Sequence, residues 1–261
     1  MRVAICISGQ PRRCREGYNG IKKNIIDVNE ANGYRVDAFI HAWEERDAPD
    51  TTNTPESLIG VEKAGGSCHH GFDTLLETTK TLVDLYNPIS YSIEKQVPFD
   101  PFKYEVPKNL GWRPDGKPCF NQQSMFYSIW ACNNLKKARE VACGFTYDAV
   151  IRIRPDCRVL HPVDVASLDM NMMYHDEETP PGCIDPRVPN WSGKMNDHFA
   201  ISSSKNMDTY SDCYIALPEL YRAGVPFNPE FCLGIWVDYN KIQRKLLKYN
   251  EPHHIASKII R

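Results

Sequence analysis

Two arginines and an aspartate alternate at the end of an apolar run, as Arg152, Arg154 and Asp156. Alternate residues of a strand share a face, so Ile151 and Ile153 occupy the other face. Arginines in such a run need anionic partners, because an unpaired buried charge is strongly unfavourable. The partners are either protein carboxylates or the phosphates of a nucleotide, which the planar guanidinium suits.

Asp156 has two interpretations. It follows Pro155 at a point where a carboxylate could hold a divalent cation against a diphosphate. The plain alternative is a salt bridge to Arg154 or Arg158.

The loop from Ser8 to Arg13 offers a hydroxyl, an amide and two cations at the head of a predicted helix. Its residues Gly9, Gln10 and Arg12 suit the base, ribose or phosphate of a nucleotide. The loop lacks both G-x-G-x-x-G and G-x-x-x-x-G-K-[ST], which disfavours a dinucleotide fold and a P-loop NTPase. An ordinary strand-to-helix turn would look much the same.

Aromatic and amide side chains form a further group. His41 and Trp43 end a predicted strand, where an aromatic face could line a base or sugar pocket. Gln123, Tyr127 and Trp130 follow one another at helical spacing near the start of a long predicted helix. We expect most of that helix face in the core and its polar first turn at a cleft. A half-buried structural tryptophan is the plain alternative for Trp43.

Carboxylates also enter from the second half of the chain. Asn196, Asp197 and His198 precede a predicted strand, and Glu230 lies beside apolar residues that could raise its pKa into the range of a general base. The plain alternative for Glu230 is a first-turn helix residue after a proline. Neither Cys68-His69-His70 nor His253-His254 has a partner at structural zinc spacing, although His254 could reach a cation bound in a cleft.

The elements that position these residues alternate as β-α-β-α-β-α-β. The strands are predicted at Val3–Ile7, Val36–Ile40, Ile89–Ile93 and Tyr147–Arg154, with the longest helix at Asn121–Ala142. This order predicts an α/β fold with a mostly parallel central sheet flanked by helices. Ligands of such sheets bind beyond the carboxyl ends of the strands, where all these side chains should meet. Later strands are predicted near 171–174 and 198–202 and helices near 205–223 and 229–239, within one domain spanning 1–261.

Composition narrows the function classes. The 261 residues carry a net charge of −2, which does not favour nucleic acid as a partner. No window is long and apolar enough for a signal peptide or a membrane span, so we expect a cytoplasmic protein. The ten cysteines include no C-x-x-C pair, which predicts small buried thiols in a reducing compartment rather than disulfides.

Four stretches in chain order are more specific together than any motif alone: Val3–Arg12, Asp37–Trp43, Tyr147–Asp156 and Asn196–Ala200. Together they resemble small glycosyltransferase-like proteins of the GT-A class, which cyanophages, large viruses and bacterial glycan loci encode. The resemblance implies a Rossmann-like fold with a nucleotide-binding half (1–160) and an acceptor-side half (161–261). It implies donor-binding roles for Ser8, Gln10, Arg12 and His41, and Gly9, Trp43, Gln123, Arg152 and Arg154 are further donor-binding candidates from their places in the chain. It makes Asp156 the metal ligand and places Asn196, Asp197 and Glu230 on the acceptor side. His254 is a second candidate metal ligand, and Asp197 and Glu230 are the two candidate catalytic carboxylates.

The sequence departs from this class at one position. The usual signature after the fourth strand is Asp-x-Asp, whereas this chain has Arg154-Pro155-Asp156. Either Asp156 holds Mn²⁺ or Mg²⁺ with a distant residue, or Arg152 and Arg154 neutralise the leaving diphosphate without metal. Positive charge is needed there because negative charge develops on the diphosphate as the sugar leaves.

The expected reaction is transfer of a sugar from a nucleotide sugar, with UDP-hexose as the expected donor, to a glycan, lipid or protein acceptor that the sequence does not identify. A sugar nucleotidylyltransferase is one alternative, but its Gly-rich, Lys-containing first loop is missing. A non-catalytic nucleotide-sugar or carbohydrate-binding protein is the other.

Overall fold

Short apolar segments of the first 160 residues form the parallel part of a central sheet. A computed structural model describes residues 1–11, 13–43, 79–95, 120–175, 195–225, 228–247 and 257–259. Its first four strands are β1 (Arg2–Gly9), β2 (Arg35–Trp43), β3 (Ser90–Glu94) and β4 (Ala149–Ile153). They lie side by side as β3-β2-β1-β4, and each neighbouring pair is parallel. The predicted parallel arrangement is confirmed.

Three strands from the later part of the chain extend this sheet beyond β4. The remaining strands are β5 (Cys157–Val159), β6 (Met173–His175), β7 (Phe199–Ser202), β8 (Arg244–Leu246) and β9 (Ser257–Ile259). β7 pairs antiparallel with β4, and β6 and β8 follow to complete a seven-stranded sheet. β5 and β9 form a separate antiparallel pair. The sheet is therefore mostly parallel and continues across residue 160.

Helices cover both faces of the sheet, as predicted. They are α1 (Cys14–Ile21), α2 (Asp27–Ala31), α3 (Thr79–Tyr86), α4 (Phe120–Cys143), α5 (Ser204–Ser211), α6 (Cys213–Arg222) and α7 (Pro229–Tyr239). A π-helical segment, Lys22–Ile26, joins α1 to α2. None of these helices is long and apolar enough to cross a membrane.

The two faces of the sheet bury two hydrophobic clusters. Alternate residues of β1 divide between them, with Ile5 and Ile7 facing one cluster and Ala4 and Cys6 the other. The first cluster includes residues of α1 and α3, and the second includes residues of α4 to α7. Of the seven cysteines within the described ranges, all are free thiols and six are buried, as the sequence predicts.

Two details of the secondary structure differ from the sequence prediction. The helical stretch near 205–223 consists of two helices, α5 and α6, because the helix is interrupted at Asp212. The strands β5, β8 and β9 were not predicted, since each has three residues and too short a pattern to reveal its period. The start of the predicted helix around 72–85 lies outside the described residues.

The turn after β4 is fixed against α1 by very close packing. A Cβ atom added to Gly17 would lie 2.1 Å from the carbonyl oxygen of Pro155, and one added to Gly20 would lie 2.9 Å from the backbone of Val159. Asn24 also donates a 2.8 Å hydrogen bond to the carbonyl oxygen of Val159. These contacts hold the segment that carries Asp156 in place.

Replacing Gly17 by alanine tests this contact. At a solvent-exposed helix position, a Gly→Ala change stabilises the protein by about 1 kcal/mol. At Gly17 the added methyl group would overlap backbone atoms, which cannot move without disturbing the fold. We therefore expect Gly17→Ala to lower the free energy of unfolding by about 1–3 kcal/mol in urea denaturation. Asn19→Ala, on the exposed side of α1, is the control and should change it by less than about 0.5 kcal/mol. A stabilised Gly17→Ala protein would contradict the described packing.

Candidate functional site

Polar residues meet at the carboxyl ends of three adjacent parallel strands. Ser8 on β1 is in register with His41 on β2, and Cys6 is in register with Arg152 on β4. The chain leaves β1 toward β2 and β3 and later returns to β4 on the other side of β1. Such a reversal of strand order opens a crevice beyond the strand ends, where ligands of open α/β sheets bind. We call this place the switch-point crevice.

Arg152 is buried between the ends of β1 and β4. Only 2% of the residue is exposed, and Nε donates a 3.2 Å hydrogen bond to Oγ of Ser8. Nη1 donates to the backbone carbonyl oxygen of Asp197. The guanidinium therefore joins the ends of β1 and β4 to the segment before β7 through hydrogen bonds to protein groups.

Arg154 and Asp156 form a bidentate salt bridge. Nε and Nη2 of Arg154 donate to Oδ1 and Oδ2 of Asp156 at 2.8 and 2.7 Å. Burial would lower the pKa of Arg154, but the carboxylate of Asp156 outweighs it and raises that pKa further above its usual value. The Arg154 side chain is 26% exposed and that of Asp156 only 5%. The cation, not the carboxylate, is thus the more accessible member of the pair.

The described residues do not fit a divalent cation at Asp156. Both of its carboxylate oxygens accept hydrogen bonds from Arg154, and no group of three or more His, Cys, Asp or Glu side chains in the described ranges could hold a metal ion. His254 and Arg12 lie outside the described residues. Because His254 is not among the described residues, the predicted binding of Mn²⁺ or Mg²⁺ by Asp156 together with His254 stays a prediction.

Asp197 belongs to the same cluster of charges. Its Oδ1 lies 2.7 Å from Nδ1 of His198, and the backbone N–H of Arg154 donates to the carbonyl oxygen of His198. Burial alone would raise the pKa of Asp197, but His198, followed by Arg154 and Arg152, holds that pKa well below its usual value. Asp197 is therefore an ionised partner of the cations and a weak base. Oδ1 of Asn196 accepts a 2.7 Å hydrogen bond from the backbone N–H of His198 and so shapes this turn.

Glu230 lies in the first turn of α7, beside the same turn. The side chain of Asn228 caps this helix by accepting a hydrogen bond from the backbone N–H of Phe231. The backbone N–H of Met195 donates to the carbonyl oxygen of Glu230 at 3.0 Å. The structure thus brings the start of α7 next to the turn that carries Asn196 and Asp197, although the two segments are well separated in the sequence.

A second polar cluster surrounds His41 at the ends of β2 and β3. Nδ1 of His41 lies 2.8 Å from Oγ of Ser128, and Nε2 lies 3.3 Å from Oε1 of Glu94. Burial lowers the pKa of His41 from its usual 6.5, and Glu94 only partly offsets this effect. The imidazole is therefore neutral near pH 7. Ser128 is fully buried, so this Ser-His-Glu arrangement does not expose a nucleophile.

Aromatic rings line the side of this cluster. Trp43 stacks on Tyr127 with ring centroids 5.5 Å apart, and Tyr127 contacts Trp130 and Tyr214. The hydroxyl of Tyr127 donates a 2.8 Å hydrogen bond to Glu94. Burial, followed by this bond, raises the pKa of Tyr127 to about 12. We call Trp43, Tyr127, Trp130 and Tyr214 the aromatic wall.

The remaining predicted donor-binding residues lie near these clusters. Gly9 ends β1 with a φ of +132°, a conformation that favours glycine, and a Cβ there would lie 3.7 Å from the ring of Pro155. Gln10 follows directly and is partly buried. Gln123 lies one helical turn before Tyr127, and its side chain is almost completely buried.

Sequence reasoning missed Glu94 and Ser128. Glu94 is the last residue of β3, so the rule that placed His41 and Arg154 at the carboxyl edge applies to it equally. Ser128 gave no such signal, because its partner His41 is 87 positions away in the chain.

In comparisons with known proteins, no family model matches this sequence, and no curated protein matches it. Arguments about function therefore depend on the site itself.

The depressed pKa of Asp197 makes a pH-dependent contribution to stability. An aspartate with a folded pKa below its unfolded value of 3.8 stabilises the fold fully above that value and loses this effect as pH falls toward the folded pKa. We expect Asp197→Asn to be less stable than wild type near neutral pH, with a difference that shrinks below about pH 4. Urea denaturation from about pH 6 to about pH 3 measures this. Asp84→Asn, an exposed change on α3, should keep the wild-type profile. A pH-independent difference would contradict the charge assignment.

Proposed function

We propose that this protein is a nucleotide-sugar-dependent glycosyltransferase, with UDP-hexose as the expected donor. The observation that carries the proposal is the partly exposed side chain of Arg154, which directly follows β4 at the switch-point crevice and is paired with the buried carboxylate of Asp156. An accessible cation at this edge of a parallel sheet suits the diphosphate of a nucleotide.

In the proposed reaction, an acceptor hydroxyl oxygen forms a bond to the anomeric carbon of the sugar. The bond from that carbon to the diphosphate oxygen breaks, and its electron pair leaves with the diphosphate. Arg154 stabilises the negative charge that develops there. The bidentate bond to Asp156 fixes the guanidinium in place before the donor arrives, which avoids reorganisation during the reaction.

The proton of the acceptor hydroxyl needs a base if the sugar is transferred with inversion. Asp197 suits this role poorly, because three cationic or hydrogen-bonding neighbours hold its pKa low. Glu230, in the first turn of α7 beside the 195–198 turn, is the better candidate. Asn196 and Asp197 then shape the acceptor side.

One observation favours the non-catalytic alternative, a nucleotide-sugar or carbohydrate-binding protein. Neighbouring cations neutralise both Asp156 and Asp197. A site that binds an anion requires such neutralised carboxylates, whereas a metal-dependent transferase does not. A test of binding and a separate test of turnover are therefore needed.

The role of Arg154 is tested with charge-balanced variants. Asp156→Asn keeps the cation, whereas Arg154→Gln combined with Asp156→Asn leaves a neutral pair of similar shape. We expect Asp156→Asn to bind UDP at least as well as wild type, and the double variant to bind it about 10- to 100-fold more weakly, because a charge-assisted hydrogen bond is lost. Isothermal titration with and without Mn²⁺ measures this.

Arg158→Gln, an exposed arginine on β5, is the matched control and should leave UDP affinity unchanged. Loss of binding in Asp156→Asn, together with a requirement for Mn²⁺ in the wild type, would overturn the arginine-based arrangement in favour of a metal. Absence of UDP binding to the wild type would overturn the proposed function.

Turnover is tested at Glu230. Release of UDP from UDP-hexoses, through transfer to water or to added acceptors, should fall by at least about 100-fold in Glu230→Gln, because a general base contributes that much. UDP affinity should stay within about threefold of wild type. Glu219→Gln, on the exposed side of α6, should behave as wild type. A wild-type protein that binds UDP-hexoses and releases no UDP would support the binding-protein alternative.

A further inference from the structure

Gln123 is a buried amide without a hydrogen-bond partner. The residue is 1% exposed, and neither Oε1 nor Nε2 has a partner among the residues that the structure describes. Most buried polar groups are paired, since leaving one unpaired is unfavourable. Such an exception calls for a physical reason, and a ligand that completes the bonding is one.

The position of Gln123 on α4 directs it toward the switch-point crevice. Ser128 contacts His41 near the carboxyl end of β2. One turn later on α4, Cys132 contacts the carbonyl oxygens of Phe39 and Ile7, which lie further from that end of the strands. The amino end of α4 therefore extends toward the carboxyl edge. Gln123 lies about 7.5 Å beyond Ser128 along the helix axis, at about 1.5 Å per residue. Helical side chains also lean toward the amino end of their helix, which here is the side of the crevice.

The neighbours of Gln123 suit a flat ring. Tyr127, one turn later on the same face of α4, stacks on Trp43 and bonds to Glu94. An aromatic wall one helical turn from an unpaired amide combines aromatic rings with a hydrogen-bond donor group and an acceptor. The phosphate-binding candidate Arg154 directly follows β4, which lies two strands from β2 in the sheet.

We propose that the side-chain amide of Gln123 binds the edge of the nucleobase and so determines base preference. Oε1 accepts from a ring N–H while Nε2 donates to the adjacent carbonyl oxygen, as the N3–H and O4 of uracil present them. This inference rests on the proposed function, because it assumes that the crevice holds a nucleotide whose diphosphate contacts Arg154.

A methylated nucleotide tests the proposal without altering the protein. UDP methylated at N3 lacks the N–H group that would donate a hydrogen bond to Oε1 of Gln123. We expect the wild type to bind UDP about 10- to 100-fold more tightly than N3-methyl-UDP, as for a buried polar group left unpaired. Equal affinities would overturn the proposal.

Variants identify the residue responsible. Gln123→Met keeps the side-chain length and removes both polar atoms, so its preference for UDP over N3-methyl-UDP should fall to within about threefold. The melting temperature of the free protein should stay equal or rise, because an unpaired buried amide is removed. Gln122→Met is the matched control: Gln122 is also buried but interacts with neighbouring groups. This variant should keep the wild-type preference.

The possible outcomes separate the two proposals. If the wild type binds UDP and Gln123→Met keeps the full preference, the role of Gln123 is wrong and the proposed function stands. If Gln123→Met melts well below wild type without ligand, its amide has a structural role and the proposal is overturned. If the wild type binds neither nucleotide, the proposed function fails and this inference fails with it.

Discussion

A buried guanidinium constrains how the strands of this protein meet. Arg152 stands on the central strand β4, donates to Ser8 on β1 and to the carbonyl oxygen of Asp197 before β7, and has almost no exposed surface. A buried charge without partners is strongly unfavourable, so these strand ends must come together for the chain to fold. Because Arg154 follows two residues later on the same face, this constraint also sets the position of the accessible cation in the switch-point crevice.

The crevice has two chemically different ends as a result. Beside β4 and β7, the charges of Arg154, Asp156 and Asp197 compensate one another, and the side chain of Arg154 is partly exposed. Beside β2 and β3, the imidazole of His41 is neutral and the surroundings are aromatic. A ligand with an anionic group at one end and a planar ring at the other would match both ends, which is the chemistry of a nucleotide.

Much of the fold was predictable because its signals are local. Apolar runs, helical spacing and their alternation predicted β1 to β4, the long helix α4 and helices on both faces. The rule on strand ends also selected Ser8 and His41, which are in register, and Arg154, which directly follows the paired end of β4. The break at Asp212 and the three-residue strands β5, β8 and β9 were missed, because such short features have no period and depend on distant partners.

The sequence by itself determined the α/β class, the burial of the described cysteines other than Cys143, and the kinds of side chain that reach the carboxyl edge. Only the tertiary structure decided their bonding: that Arg154 holds both oxygens of Asp156, that Glu94 and Ser128 flank His41, and that Gln123 is buried without a described partner. The reason is that periodicity arises from neighbours in the chain. Pairing and burial arise from contacts between residues far apart in sequence, and a single sequence does not encode those contacts in any local pattern.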